Sequence, residues 1–108
     1  MQDTSPFQVE SLTPEPGAAR LVMAGELDFT TADDASAEVA KRLAEGVDVL
    51  ELDLAGLTFI DSSGMAVVMN AYSEAEERGT VFRIVALTPY LRHLLKVVAL
   101  DDVLDLPG

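Results

Sequence analysis

The stretch LELDLAGLTFIDSSG, Leu50 to Gly64, reads as a buried strand, a tight connection and the first turn of a helix. Val47 and Val49 join Leu50, Leu52 and Leu54 in an apolar run with Asp48, Glu51 and Asp53 interleaved. Ala55-Gly56 breaks that run, and Leu57, Phe59 and Ile60 are expected to return to the interior. Asp61 and Ser62 stand where an N-cap is wanted, ahead of a long amphipathic segment. A serine hydroxyl is thereby delivered to a helix mouth beside an acidic side chain. Unpaired amide N–H groups and the helix field favour a phosphate at such a point.

Downstream, the helix is expected from about Ser62 to Arg78. At a helical period Met65, Val68, Met69, Tyr72 and Ala75 cluster on one side, while Ser63, Asn70, Ser73, Glu74 and Glu77 spread over the other. Ala66 and Val67 fall outside the apolar cluster, so beside Ser62 they are expected to form the dry centre of a docking site. Gly79 stops the helix and Val81 to Ala86 supplies a strand, which implies a right-handed parallel crossover. Thr88-Pro89 opens a third helix with a hydroxyl cap and proline at its first position, and Leu91, Leu94, Leu95 and Val98 give it a buried stripe. Asp101-Asp102 begins a turn, and Val103 to Leu106 reads as a short last strand.

Upstream, Phe7, Val9 and Leu12 alternate with Gln8, Glu10 and Ser11, and Thr13 to Gly17 is a turn. Ala19 to Ala24 forms the second strand, antiparallel to the first across so short a connection. Gly25-Glu26-Leu27-Asp28 ends that strand. Thr30 or Thr31 caps the next helix, Asp33 and Asp34 sit in its first turn, and Gly46 ends it. Ala32, Ala35, Val39 and Leu43 form its packing stripe. The whole is an α/β fold: a mixed, mostly parallel sheet with an N-terminal antiparallel hairpin at its edge and helices packed against it. Residues 1–108 are expected to form one domain, with 1–5 as a flexible N-terminus.

Composition narrows the partners. Lys and Arg total 7 against 19 acidic residues, a formal net charge of -12, which disfavours direct contact with nucleic acid or an anionic membrane. A protein with a basic or mixed face suits this chain better. There is no cysteine, so disulfides and thiolate metal sites are excluded. MQDTSPFQ lacks the basic and apolar regions of a signal peptide, and no apolar run approaches the roughly 20 residues of a membrane-spanning helix. The expected location is the cytoplasm.

GELD at Gly25 to Asp28, followed about thirty residues later by LDLAGLTFIDSSG, resembles the STAS domain of bacterial anti-sigma factor antagonists. The resemblance runs from the N-terminal strands to the LTP…L…LL region near Thr88. It implies that Ser62 is phosphorylated, and that the two loops and the start of the helix meet the partner. On that basis Glu26, Asp28, Asp61, Ser62, Ser63, Gly64, Ala66, Val67 and Asn70 are the expected contact residues. The implied partners are an anti-sigma factor that is also a serine kinase, and a PP2C-like phosphatase; no cofactor is implied. The same resemblance admits a STAS-type regulatory or scaffold subunit, stressosome-like or accessory to a lipid transporter. Relatives often add a terminal helix beyond the point where this chain reaches Pro107-Gly108, which questions how one flank is covered.

Enzymatic readings are weaker. A serine hydrolase needs a base near the nucleophile and normally a G-x-S-x-G elbow, which Asp61-Ser62-Ser63-Gly64 does not match. His93, the one histidine, falls among leucines in the third helix and reads as a packing or surface residue. No phosphate loop, dinucleotide-binding glycine run or zinc motif is present. Asp33-Asp34 and Asp101-Asp102 read as helix-start and turn residues rather than metal ligands. For Ser62 the plain alternative is capping, worth about 1 kcal/mol, and a capping hydroxyl remains accessible to a kinase.

Overall fold

The computed structural model describes residues 7–97. The expectations for residues 1–5, Val98, Asp101-Asp102 and Val103 to Leu106 lie outside that range. Four strands and three helices follow in the order β1 (Phe7–Leu12), β2 (Ala18–Leu27), α1 (Ala32–Ala44), β3 (Val49–Ile60), α2 (Ser62–Arg78), β4 (Val81–Ala86) and α3 (Pro89–Val97). The sheet order is β1-β2-β3-β4, with β1 antiparallel to β2 and the other pairs parallel. The α/β fold read from the pattern is therefore the one formed.

Alternation explains the layers. Ala19, Leu21 and Met23 of β2 and Leu50, Leu52 and Leu54 of β3 are buried, while Arg20, Val22, Glu51 and Asp53 between them are half-exposed. The buried set meets Ala35, Val39 and Leu43 of α1 and Val67, Val68, Ala71 and Ala75 of α2 in one core. On the opposite face Arg20 Nε meets Glu51 Oε1 at 2.8 Å between paired strand positions. Helix ends follow the expected chemistry: Gly46 at φ 77° and Gly79 at φ 74° adopt the left-handed turn after α1 and α2. Thr88 Oγ1 accepts the Leu91 N–H at 3.1 Å at the start of α3, whose Leu91 and Leu95 are buried.

Four local expectations are corrected. Ala55-Gly56 does not break the central strand; β3 runs on to Ile60, and the irregularity is absorbed by bulges. Asp53 pairs Val22 while Gly56 pairs Ala24, and Leu57 pairs Gly25 while Phe59 pairs Glu26, so β3 carries one extra residue at each step. Each bulge resets which side chains face inward, and Phe59, expected in the core, is 43% exposed. β2 likewise continues through Gly25-Glu26 to Leu27, with Gly25 at φ 94° beside the second shift. Thr31 holds the N-cap position of α1 without a side-chain cap bond, because its hydroxyl is engaged in the preceding loop.

Candidate functional site

β2 and β3 end side by side, with Leu27 opposite Ile60. The GELD loop and the start of α2 therefore emerge together at the carboxyl ends of parallel strands, where open α/β sheets place their sites. One carboxylate ties them. Asp61, in an extended conformation, caps α2 by accepting the Gly64 N–H at 3.0 Å through Oδ1, and its Oδ2 accepts the Phe29 N–H at 3.1 Å. Asp61 N–H in turn donates to the Leu27 carbonyl at 3.3 Å.

Asp61 alone is the cap, so Ser62 is released from that role. It takes the first position of α2 with its side chain exposed, and no acidic residue lies in the first turn of that helix. Within α2 itself, a dianion on Ser62 would meet an N-terminal field opposed by no acid of the first turn. Gly64 is buried where the loops converge. A Cβ at that position would collide with the Leu27 carbonyl oxygen and come within 2.6 Å of Ile60 Cγ1.

The GELD loop is held by its own side chains. Asp28 Oδ1 accepts the Thr30 N–H at 2.9 Å and the Thr30 hydroxyl at 2.6 Å. These bonds, which only the charged form can accept in full, hold the Asp28 carboxyl below its ordinary 3.8. The buried Thr31 hydroxyl accepts the Asp28 N–H at 3.0 Å and donates to the Glu26 carbonyl at 2.9 Å. Glu26 is exposed beside this network.

On α2 the residues expected at a docking surface divide. Ser62, Ala66 and Asn70, spaced by four, form an exposed stripe, and Ser63 is half-exposed next to it. Val67 is not on the surface: it is 4% exposed and part of the core. The buried arc of α2 is Gly64, Val67, Val68, Ala71 and Ala75, rotated from the arc that the large residues suggested. Small side chains let the helix approach the sheet closely, so the methionines are displaced to its flank. There Met65 and Met69, with Ile60, Ala66, Leu94 and Val97, line a groove of about 380 Å³ with Asp61 and Ser62 on its rim. His93 is exposed on α3.

Phe29 escaped the pattern reading. It is 76% exposed at the tip of the GELD loop. The available signal was an aromatic residue with no periodic apolar partner, set between Asp28 and Thr30.

A mixed four-stranded sheet with α1 and α2 side by side, and a serine at a helix mouth whose capping Asp61 is tied to the loop after β2, defines a STAS-like α/β domain. The family described as "Mlab, STAS domain" matches residues 11–106, and the chain belongs to it. Among curated relatives, an anti-sigma-B factor antagonist of Listeria monocytogenes is 26% identical over 87 residues, covering 80% of this chain and 75% of that protein. A crystal structure of an anti-sigma factor antagonist from Mycobacterium paratuberculosis superposes with a TM-score of 0.85 at 22% identity, covering 98% of this chain and 89% of that one. SpoIIAA, an anti-sigma factor antagonist, matches in its unphosphorylated form with a TM-score of 0.74 at 22% identity, over 94% of this chain and 88% of that one. The phosphorylated form of SpoIIAA, from Bacillus, matches with a TM-score of 0.71 at 20% identity, over 94% and 91%.

Proposed function

We propose that this domain is an anti-sigma factor antagonist whose docking is switched by phosphorylation of Ser62. Unphosphorylated, it binds an anti-sigma factor that is also a serine kinase, and so frees a sigma factor in the bacterial cytoplasm. The kinase, using ATP in its own site, modifies Ser62 and ends the complex; a PP2C-like phosphatase restores it. The domain is then a substrate and a binding module, not an enzyme. The observation that carries this reading is the exposed Ser62 on the rim of an apolar groove, beside a loop that Asp61 holds in place. The names of the curated relative and of the structural neighbours, one of them solved phosphorylated, support it.

Magnitudes indicate how the switch acts. A phosphoserine adds about -1.5 to -2 charges and three acceptor oxygens. In the free domain the helix N-terminus offsets roughly 0.3 to 2 kcal/mol of the cost, so the fold survives. In a covered interface the dianion sheds water next to Asp61 and near Asp28. Two charges about 6 Å apart at an effective dielectric near 20 repel by about 3 kcal/mol, enough for roughly a hundredfold in affinity. Phosphorylation thus blocks docking without unfolding the domain.

Incubation with the cognate kinase and ATP is expected to label Ser62, and Ser62→Ala to stay unlabelled while still binding. Ser62→Asp is expected to weaken binding while the melting temperature stays within a few degrees. Undiminished labelling of Ser62→Ala would show the site to be wrong. Co-purification with a transporter permease in place of a kinase would favour the regulatory-subunit reading.

A further inference from the structure

We propose that Phe29 is the side chain with which this domain selects its partner, its ring entering an apolar pocket edged by Lys or Arg on the protein that covers Ser62. The inference rests on the reading of Ser62 as part of the docking surface and adds the residue that anchors it. Among the described residues Phe29 is the most exposed large hydrophobic, yet its backbone is not loose. Three consecutive amides are bonded to side-chain acceptors: Asp28 N–H to Thr31 Oγ1 at 3.0 Å, Phe29 N–H to Asp61 Oδ2 at 3.1 Å and Thr30 N–H to Asp28 Oδ1 at 2.9 Å. A loop braced in this way has already met the backbone part of the ordering cost that an interface imposes. Aromatic side chains so placed, with only two torsions to fix, are the usual centres of binding energy.

The surroundings specify the partner's chemistry. From Leu21 to Ala40 the sequence contains Glu26, Asp28, Asp33, Asp34 and Glu38 and no Lys or Arg. The middle link in the bracing is itself a carboxylate, Asp61, the residue next to Ser62. A pocket for Phe29 is therefore apolar at its floor and cationic at its edge. A second copy of this chain is a poor occupant, since two bodies of net charge -12 repel. The loop's bond to Asp61 places anchor and phosphoacceptor on one rigid end of the sheet, so a partner seated on Phe29 is also positioned over Ser62.

The test is calorimetric titration of the unphosphorylated full chain into its cognate anti-sigma factor, beside thermal melts of each variant. Phe29→Ala is expected to weaken binding about thirtyfold, the equivalent of roughly 2 kcal/mol, with an unchanged melting temperature. Phe29→Leu should recover most of the affinity. Val81→Ala trims another exposed apolar residue, at the opposite end of the parallel strands, and should bind as the parent does. Binding of Phe29→Ala within threefold of the parent overturns the proposal. If Ser62→Asp weakens binding and Phe29→Ala does not, the anchor is wrong and the Ser62 reading stands. If Phe29→Ala weakens binding and Ser62→Asp binds like the parent, the Ser62 reading falls, and with it an anchor defined by proximity to that serine.

Discussion

At the scale of single residues, the site depends on two positions whose second roles lie outside any local pattern. Asp61 was legible as a helix cap because an acid ahead of an amphipathic run is a local signal. Its other oxygen holds the amide of Phe29, 32 positions earlier, and only the adjacency of two strand ends makes that bond. Gly64 is similar: it lies in the first turn of α2, where the pattern put it, but its approach to the Leu27 carbonyl is not written in any local spacing. Alanine is intrinsically the better helix former there by about 1 kcal/mol. Overpacking against backbone costs about 1–3 kcal/mol, and the contact cannot relax by rotating a side chain. Gly64→Ala is therefore expected to be destabilised overall, with a lower urea midpoint at unchanged m; an equal or higher midpoint would contradict the packing argument.

At the scale of elements, α2 separates what helical periodicity tells from what it leaves open. The segment was predictable to its ends, Ser62 and Arg78, from the acid before it and the glycine after it. Its orientation was not. The large apolar residues point to Met65, Met69 and Tyr72, but the face against the sheet is the small one, running through Val67, Ala71 and Ala75. The helix is packed on one side and fringed by half-buried methionines on another, and a wheel of hydrophobicity merges the two. This division predicts a contrast between neighbours. Val67→Ala empties core volume and should cost about 1–3 kcal/mol in chemical denaturation, while leaving the affinity of the folded fraction intact. Ala66→Glu, one residue back on the exposed stripe, should leave the denaturation midpoint nearly unmoved and weaken partner binding at least tenfold. The reverse assignment of losses would return Val67 to the docking surface. β3 teaches the same lesson for strands: Ala55-Gly56 looks like a break by composition, whereas two bulges carry the strand through it and turn Phe59 outward.

At the scale of the whole molecule, charge decides how a partner arrives. A net charge of -12 on 108 residues, with the acids of the GELD loop and α1 near the site, favours encounter with a basic face. Association with the anti-sigma factor is expected to slow by roughly tenfold or more between 50 and 500 mM salt, with the dissociation rate much less affected, as stopped-flow mixing would show. A salt-independent association rate would remove the electrostatic part of the account. The sequence by itself determined the order of strands and helices, the hairpin at the edge, the caps at Thr88 and Gly79, and the pairing of GELD with DSSG as a family mark. Each of those is written in neighbours along the chain, through periodicity, capping chemistry and turn residues. The tertiary structure alone decided which arc of α2 is buried, that the capping Asp61 also holds the amide of Phe29, and that Phe29 is braced in solvent beside the serine. Those facts depend on how far apart strand ends, bulges and helix faces lie in space, and the physical reason they were hidden is that a contact between residues some thirty positions apart leaves no trace in local spacing.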